Sequence, residues 1–586
     1  MPQTRSHDQK TEDRGDAPAA SNATQWHLVP ENAQHVLEYP AIDLQSHQIR
    51  ILHLLPGTYN DPLRCVLRTK FLDAGPRYQA LSYVWGDPLD CRSIEVDGRQ
   101  RNVTINLFNA LRRLRYPKSE RRLWVDALCI NQDNDVEKSH QVKLMSKIYT
   151  RTTEAILWLG DFSDGINATP NCIPRETVMK AFDLLKYMAR DSYGCARSDS
   201  DPNTELISGG SEALSCLFQL PWWHRAWTVQ ETVLPADATV VCGTAQLPFS
   251  LFVAAHKNSL YHYFLNCCKR VVVPSSFRSQ LRKLVYAKEQ LREKTIFMGH
   301  VLNDFRDRNT ADPRDKMYAY LGLGSNISAD YTLPHEEAFT LGVRSIIEES
   351  GTLEIILRAA EVDRSLSLPT WVPDWSTDIV SQGDGFELTW YHLHRQYAAC
   401  GDKKVQTRTS YSHRVLDLRG LILGPIIELG DVLDSVGSMK KMVDRWQARS
   451  GDEYPQGGTY QEVSWRTLLC DMRHGQVFYE RLGKTDNAEA MVLNEFEQSP
   501  SGASLKAFNK RGFITETGMI GISNRDIKVG DFISLLSGSK MPFILRQIRS
   551  EEGGVAYQYI GQAYVHGVMD GEVMDKNPVS EWISLI

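Results

Sequence analysis

The sequence predicts an α/β domain at the amino-terminal end, a helix-rich middle region and a β-rich carboxyl-terminal domain. Three observations support this fold class. Between about residues 48 and 160, short apolar runs alternate with helical patterns, which is typical of a partly parallel sheet. Residues 261–410 are biased toward helix. After about residue 411, short apolar runs separated by Gly and Asp turns predict many short strands.

The amino-terminal pattern can be divided into elements. The predicted strands are residues 47–55, 63–71, 78–86, a hairpin over 93–105 turning at Asp97-Gly98, LWVDALCI at 123–130, 155–160 and 238–243. The predicted helices are residues 106–115, 135–150, 174–190 and 247–258. Asn134 is placed to cap the second of these helices, and Glu137 three positions later predicts a capping box. We therefore expect the α/β domain to cover residues 45–260.

Composition and length describe a soluble protein of several domains. A chain of 586 residues is too long for one hydrophobic core. Its formal net charge of −6 offers no overall attraction to nucleic acid or to anionic membranes. No apolar run approaches the roughly 18 residues of a membrane span. The polar first 25 residues lack a secretory signal, which predicts a disordered tail over residues 1–25 and a cytoplasmic location.

Cysteine and histidine usage argues against a disulfide framework and against a metal site. The 11 cysteines are scattered, odd in number and without a C-x-x-C pair, as in reduced intracellular proteins. Neither His140 nor His224 has a second metal-ligand partner at helical spacing, so we expect no metal. The signatures of P-loop enzymes, dinucleotide-binding folds, zinc proteases and serine hydrolases are also missing from the sequence.

Polar residues follow two apolar runs of the predicted sheet. Gly86 and Asp87 come after one run, and Asp126, Asn131 and Gln132 come at and after the end of another. Ligands of open α/β sheets bind beyond the carboxyl ends of the strands, so these residues are candidates to line a small-molecule pocket. The alternative is structural, because Asp and Asn also form turns and cap helices without any ligand.

Residues 221–231, PWWHRAWTVQE, concentrate aromatic and charged side chains. An aromatic wall could be formed by Trp222, Trp223 and Trp227, with Arg225 and Glu231 as the polar groups. A carboxylate beside such a surface has a raised pKa, which suits acid/base or glycosidic-bond chemistry. The alternative is a core anchor, since tryptophan bulk usually means packing. In that case Arg225 pairs with a carboxylate such as that of Glu231 or Asp126.

Eight ordered segments resemble the heterokaryon incompatibility (HET) domain family of filamentous fungi. Four lie in the α/β domain: YQALSYVWGDP (78–88), LWVDALCINQDN (123–134), MSKIYTRTTEAILWLG (145–160) and PWWHRAWTVQE (221–231). Four lie downstream: DPRDKMYAYLGL (312–323), LPTWVPDWS (368–376), RGFITETGMIGI (511–522) and YIGQAYVHGVMDGE (559–572). The likeness spans the chain from about residue 47 to residue 586, and the order of the segments makes it far more specific than one motif.

The resemblance implies a role in fungal allorecognition, in which fusion of different hyphae triggers programmed death of the mixed cell. It implies self-association or contact with other incompatibility proteins. It also implies a Toll/interleukin-1 receptor (TIR)-like, flavodoxin-like α/β fold. By analogy at the level of the fold, NAD becomes a candidate substrate and Glu231 the candidate catalytic residue. Two alternatives stay open: a non-catalytic signalling scaffold, and an accessory factor of a specialised metabolic pathway.

Overall fold

The computed structural model of the chain describes residues 39–162, 172–190, 204–265, 273–360, 364–377, 394–449, 453–474, 479–498, 506–549, 553–576 and 578–586. The predicted tail, residues 1–25, lies outside the described residues. Residues 39–586 form a single unit by the density of their internal contacts.

The amino-terminal part of the described chain contains a mixed sheet with helices inserted between its strands. The strands are β1 (Gln48–Leu54), β2 (Arg64–Phe71), β3 (Gln79–Ser82), β4 (Cys91–Val96), β5 (Arg99–Thr104), β6 (Arg121–Trp124), β7 (Glu154–Gly160), β8 (Ala238–Cys242) and β9 (Ala245–Pro248). The helices are α1 (Ile105–Leu114), α2 (Asp126–Cys129), α3 (Asp135–Arg151), α4 (Arg175–Arg190), α5 (Thr204–Phe218), α6 (Thr228–Val233) and α7 (Phe249–Leu265).

The strand order in this sheet is β5-β4-β2-β1-β6-β3-β7-β8-β9. Strands β6, β3, β7 and β8 run parallel to one another. Strand β1 runs antiparallel to both of its neighbours, and antiparallel hairpins close the two edges. The partly parallel α/β prediction is thus confirmed, whereas the TIR-like, flavodoxin-like assignment stays a prediction. Because β3 is central, residues at its carboxyl end face those that follow β6 and β7.

Local sequence accounts for the elements that were predicted well. The β4–β5 hairpin turns at Asp97 and Gly98, whose φ angles of 51° and 76° suit a two-residue turn with both residues left-handed. The Asn134 side chain accepts a hydrogen bond of 3.0 Å from the Glu137 amide and caps α3. The Glu137 carboxylate does not complete a capping box. It forms two hydrogen bonds to Arg50 of β1 instead.

The segment 123–130 was predicted as one strand, and that prediction is wrong. Strand β6 ends at Trp124, and residues 126–129 form the single turn α2. Asp126 stabilises the turn because its Oδ1 accepts a hydrogen bond from the Ala127 amide. The turn also buries Leu128 and Cys129. A short apolar run is therefore compatible with either a buried strand or a buried helical turn.

The middle region is helical, as predicted. Its helices are α8 (Ser275–Glu293), α9 (Met298–Asp304), α10 (Asp315–Tyr318) and α11 (His335–Ser350), followed by a 3₁₀ turn at Glu354–Arg358. The segment 368–376 connects this region to the carboxyl-terminal part. Its Trp371 and Trp375 are fully buried, and the Thr370 amide donates a hydrogen bond of 3.0 Å to the Ile586 carbonyl.

The carboxyl-terminal part is β-rich, as predicted. The strands are β10 (Thr407–Arg408), β11 (Leu416–Val432), β12 (Met472–His474), β13 (Tyr479–Arg481), β14 (Arg511–Thr515), β15 (Ile520–Ser523), β16 (Phe532–Leu536), β17 (Phe543–Arg549), β18 (Val555–Val565) and β19 (Glu581–Leu585). The helices are α12 (Val436–Gln447), α13 (Tyr460–Leu468) and α14 (Ala488–Gln498). Strands β11, β14, β15, β18, β17 and β16 pair in a closed ring.

Helices α12 to α14 cover one side of this ring. Trp446 and Val492 share a hydrophobic core with Ile514 and Ile520 of the strands. The predicted domain boundaries near residues 260 and 410 stay predictions. Among the described helices, none is both long and apolar enough to span a bilayer.

Candidate functional site

The carboxyl end of the central strand β3 carries a buried hydrogen-bonded cluster. The Ser82 hydroxyl donates to the Glu231 carboxylate and accepts a 3.0 Å hydrogen bond from the indole N–H of Trp222. All three residues are buried, with Glu231 only 3% exposed. Helix α6, which packs against β3 and β7, carries Glu231 to this position. The cluster therefore connects β3, which lies in the family-like segment 78–88, to the tryptophan-rich segment 221–231.

The pKa of Glu231 is raised from 4.5 to about 7. Burial is the largest cause, because removing the carboxylate from water disfavours its charged form. The positive charge of Arg225 and the hydrogen bond from Ser82 lower the pKa, whereas the negative charge of Asp126 raises it further. A carboxyl group that titrates near neutrality can donate and accept a proton at physiological pH.

Arg225 lies between the end of β3 and the start of α2. Its guanidinium donates a hydrogen bond to the Tyr83 carbonyl and lies 3.9 Å from the Asp126 carboxylate. The same carboxylate accepts a 2.7 Å hydrogen bond from the indole of Trp85. The Arg225 guanidinium is 5.8 Å from the centre of the Trp85 ring, within the range of a cation–π interaction. Asp126, Arg225 and Trp85 thus form one interacting group.

The site has an inner part and an outer part. In the inner part, Ser82, Glu231 and Trp222 are all buried. In the outer part, the side chains of Asp126 and Arg225 keep 14% and 20% of their surface exposed. Asp126, Arg225 and Glu231 therefore gather at one end of the sheet, as a shared site requires. Only the outer part reaches solvent, so a ligand would meet Arg225, Asp126 and Trp85 first.

Asn131 and Gln132 pin the chain between α2 and α3. The Gln132 side chain donates a 3.0 Å hydrogen bond to the Asp126 carbonyl, and the Asn131 amide donates one of 2.7 Å to Glu137. The Asn131 side chain accepts a hydrogen bond of 3.2 Å from the Asp133 amide. The Gln132 contact holds the backbone of Asp126 in place. Asn131 and Gln132 therefore stabilise the turn between α2 and α3, and their described contacts do not reach the Arg225 or Trp85 side chains.

Gly86 and Asp87 shape the loop after Trp85. Gly86 has a φ of 85°, which favours glycine, and Asp87 accepts a 2.9 Å hydrogen bond from the Leu89 amide in an exposed turn. Among the residues that the structure describes, the Asp87 carboxylate has no hydrogen bond or ion pair to Arg225 or Glu231. Gly86 and Asp87 thus follow Trp85 in sequence, and the described contact of the Asp87 side chain lies within the loop.

The remaining tryptophans of the 221–231 motif have different surroundings. Trp223 is fully buried and stacks on Phe218 with 4.1 Å between ring centres. Trp227 donates a 3.0 Å hydrogen bond from its indole to Asp315 of α10. Trp223 therefore packs in the core, and Trp227 connects the motif to the middle region.

Sequence reasoning missed several residues of the cluster. Ser82, Tyr83 and Trp85 lie inside the family-like segment 78–88 but were not singled out as site residues, and Trp222 was considered only as part of the aromatic wall of segment 221–231. The available signal was a lone hydroxyl, Ser82, at the end of an apolar strand. A buried hydroxyl needs a hydrogen-bond partner, and that requirement points to a polar contact. In the described part of the chain, no group of three or more His, Cys, Asp or Glu is arranged to hold a metal ion.

Comparisons with known proteins agree with this architecture. Residues 78–231 match the family model described as heterokaryon incompatibility protein (HET), and residues 496–583 match the Het-6 beta-barrel domain. The chain is similar to heterokaryon incompatibility protein 6, OR allele, of Neurospora crassa, with 25% identity over 672 aligned residues covering 93% of this chain and 97% of the relative. No solved structure matches. The resemblance to the HET domain family is thereby confirmed.

Proposed function

We propose that this chain, a HET-domain protein with a Het-6 barrel domain, acts in fungal heterokaryon incompatibility and triggers death of cells formed by fusion of unlike hyphae. The observation that carries the proposal is the extent of the likeness. The alignment covers 93% of this chain and 97% of a relative named as a heterokaryon incompatibility protein. Because the likeness extends over both the sheet region and the barrel region, it favours a role shared by the two whole proteins over a single domain that two unrelated proteins have in common.

The effector step that we propose is cleavage of NAD at the end of β3. Water would attack the glycosidic carbon of NAD, releasing nicotinamide and ADP-ribose, and a carboxylate would take the proton that the water loses. Glu231 suits this role because burial raises its pKa to about 7. Arg225 offers a guanidinium to the phosphates of NAD, and Trp85 an aromatic face to one of its rings. We also propose that a path opens from the partly exposed Arg225, Asp126 and Trp85 to the buried Glu231 when NAD binds.

A non-catalytic scaffold is the second candidate, and one observation favours it. Glu231 is 3% exposed, and its carboxylate is already engaged by the buried Ser82 hydroxyl. In a scaffold this cluster serves only to hold α6 against the sheet, and Trp85 with Arg225 and Asp126 would contact a partner protein.

Inducible expression in a fungal host separates the two candidates. The wild-type chain, Glu231→Gln and Glu428→Gln are compared for viability and cellular NAD, with protein levels measured in parallel. Glu428 is the control because it lies on barrel strand β11, far in sequence from the site, and its side chain is 40% exposed and pairs with Arg445. The enzyme hypothesis requires NAD loss and death for the wild type and Glu428→Gln, but not for Glu231→Gln. Death without NAD loss selects the scaffold, and unchanged viability for the wild type rejects the death-triggering role.

A further inference from the structure

We propose that Arg308 and Asn309 of the middle region are positioning residues for the site at the end of β3. On this view, the working unit extends beyond residues 78–231 and includes the chain as far as residue 323. The inference rests on the proposed function only where toxicity is measured. Its second measurement, deuterium uptake of residues 221–231, does not depend on that function.

Arg308 is a buried cation whose described hydrogen bonds all go to neutral oxygens. It is 1% exposed, and its guanidinium donates to the Gln280 side chain at 2.8 Å, the Thr228 hydroxyl at 3.2 Å and the Arg225 carbonyl at 3.4 Å. Burial lowers its pKa to about 10, so it remains charged at neutral pH. Burying a guanidinium costs several kcal/mol unless its partners are well placed. The buried charge of Arg308 therefore depends on these three acceptors.

Two of these contacts meet at the junction that carries both charged groups of the site. Thr228 is the first residue of α6, the helix that holds Glu231. Its hydroxyl lies 2.7 Å from the Arg225 carbonyl and 3.1 Å from the Trp222 carbonyl. Arg308 contacts this hydroxyl and the Arg225 carbonyl together. It thereby fixes the angle between the turn that ends at Arg225 and the helix that begins at Thr228.

Asn309 holds the same turn through the backbone. Its amide donates a 2.5 Å hydrogen bond to the His224 carbonyl, and its carbonyl accepts one of 3.0 Å from the Ala226 amide. The two contacts form an isolated parallel bridge on either side of Arg225. The backbone of Arg225 is therefore held from the middle region while its side chain reaches Tyr83 and Asp126.

The downstream motif 312–323 in turn holds the segment that contains Arg308. The Lys316 ammonium donates to the carbonyls of Arg306 and Arg308 at 3.0 and 2.7 Å. The Tyr320 hydroxyl donates to the Phe305 carbonyl at 3.0 Å. Two motifs about 80 residues apart in sequence thus converge on one turn. That convergence gives a physical reason for both to occur in one chain.

The test compares Arg308→Met with Arg306→Met in the full chain. Arg306 is the matched control because it is also buried in the same segment, whereas its described side-chain hydrogen bonds go to the carbonyls of Asp374 and Thr377 and not to residues 221–231. Deuterium uptake of the peptide covering residues 221–231 is measured at equal distance below each variant's Tm. We expect a roughly three- to tenfold faster exchange in Arg308→Met and no change in this peptide for Arg306→Met.

Arg308→Lys serves as the conservative variant. A lysine keeps the charge but cannot span the Thr228 hydroxyl, the Arg225 carbonyl and Gln280 together, so we expect an intermediate exchange rate. Toxicity in the fungal host is scored in parallel, and we expect it to fall in the same order. Equal exchange in Arg308→Met and Arg306→Met overturns the positioning role. A wild type without toxicity rejects the proposed function, and the exchange data still decide the role of Arg308.

Discussion

The Ser82 hydroxyl donates a hydrogen bond to the Glu231 carboxylate across 149 positions of sequence. This contact joins the end of the central strand β3 to helix α6. The Ser82 hydroxyl is one of the groups that set the pKa of the buried Glu231 carboxyl, together with burial, Arg225 and Asp126.

Glu231 should make the stability of the protein fall as pH rises. Its pKa is 4.5 when unperturbed and about 7 in the folded chain. The folded state therefore binds the proton more tightly, so the stabilisation is complete below about pH 4.5 and is lost as pH rises through about 7. At about 1.4 kcal/mol for each tenfold change in proton affinity, the loss is about 3 kcal/mol.

Urea unfolding of the wild type and Glu231→Gln across this range measures the effect. The difference in free energy of unfolding between the two proteins should change by about 3 kcal/mol between pH 4.5 and pH 7.5. Subtracting the two curves removes the contribution of the other titrating groups. Parallel curves would show that Glu231 does not titrate in this window.

Ser82→Ala should raise the pKa of Glu231 further. The hydrogen bond from Ser82 lowers that pKa, and its removal also leaves the Trp222 indole without its acceptor. We expect a destabilisation of about 1–3 kcal/mol and an upward shift of the pH at which Glu231 titrates.

Ser534→Ala is the matched control for this change. Ser534 is equally buried, and its hydroxyl donates a 3.1 Å hydrogen bond to the Phe543 carbonyl within the barrel. Its removal should destabilise the chain to a similar degree without moving the titration of Glu231. If both variants shift the titration alike, the direct role of Ser82 is rejected.

The Arg50–Glu137 pair should be costly to break from one side. Both side chains are buried, with 1% and 7% of their surface exposed, and two hydrogen bonds of 2.6 and 3.0 Å join them. Arg50→Met leaves a buried carboxylate without its partner, and we expect a loss of about 3–5 kcal/mol in unfolding free energy.

The exposed pair Arg122–Glu120 provides the comparison for this measurement. Its atoms are 2.9 Å apart, but 53% and 40% of the two side chains are exposed. Arg122→Met should cost no more than about 1 kcal/mol. A similar loss in the two variants would mean that burial does not set the strength of the inner pair.

Gly322→Ala should destabilise the junction between the α/β domain and the middle region. A Cβ at Gly322 would lie 2.6 Å from the Ser146 Cβ and 2.8 Å from the Gln230 side-chain oxygen. We expect a loss of about 1–3 kcal/mol, read as a lower Tm. Gly209→Ala is the control, because nothing lies within 4 Å of the new Cβ and the residue is in helix α5. That variant should gain up to about 1 kcal/mol.

Two predictions that depended only on neighbouring residues were accurate. The Asp97-Gly98 turn and the Asn134 cap need only a few adjacent positions, so the pattern contained the whole explanation. The capping box at Glu137 was wrong because Arg50 lies in another strand and competes for the same carboxylate. The strand at 123–130 was wrong because a buried apolar run does not distinguish a strand from a helical turn.

In the candidate site, too, the sequence indicated individual residues but not the contacts between distant segments. Asp126, Arg225 and Glu231 could be selected from the sequence as charged residues near apolar runs, and the structure brings them to one end of the sheet. The sequence could not place Ser82 beside Glu231, because the two residues are 149 positions apart, and it did not distinguish Trp222 from Trp223 and Trp227 in the same segment.

By itself the sequence determined the order of the regions, the class of each region and the family resemblance. These properties depend on local periodicity and on short ordered motifs. Only the tertiary structure decided that Ser82 binds Glu231, that Trp227 faces Asp315 and that Arg308 supports Arg225. Contacts between distant segments depend on how helices and strands pack in three dimensions, and side-chain periodicity along the chain carries no record of that packing.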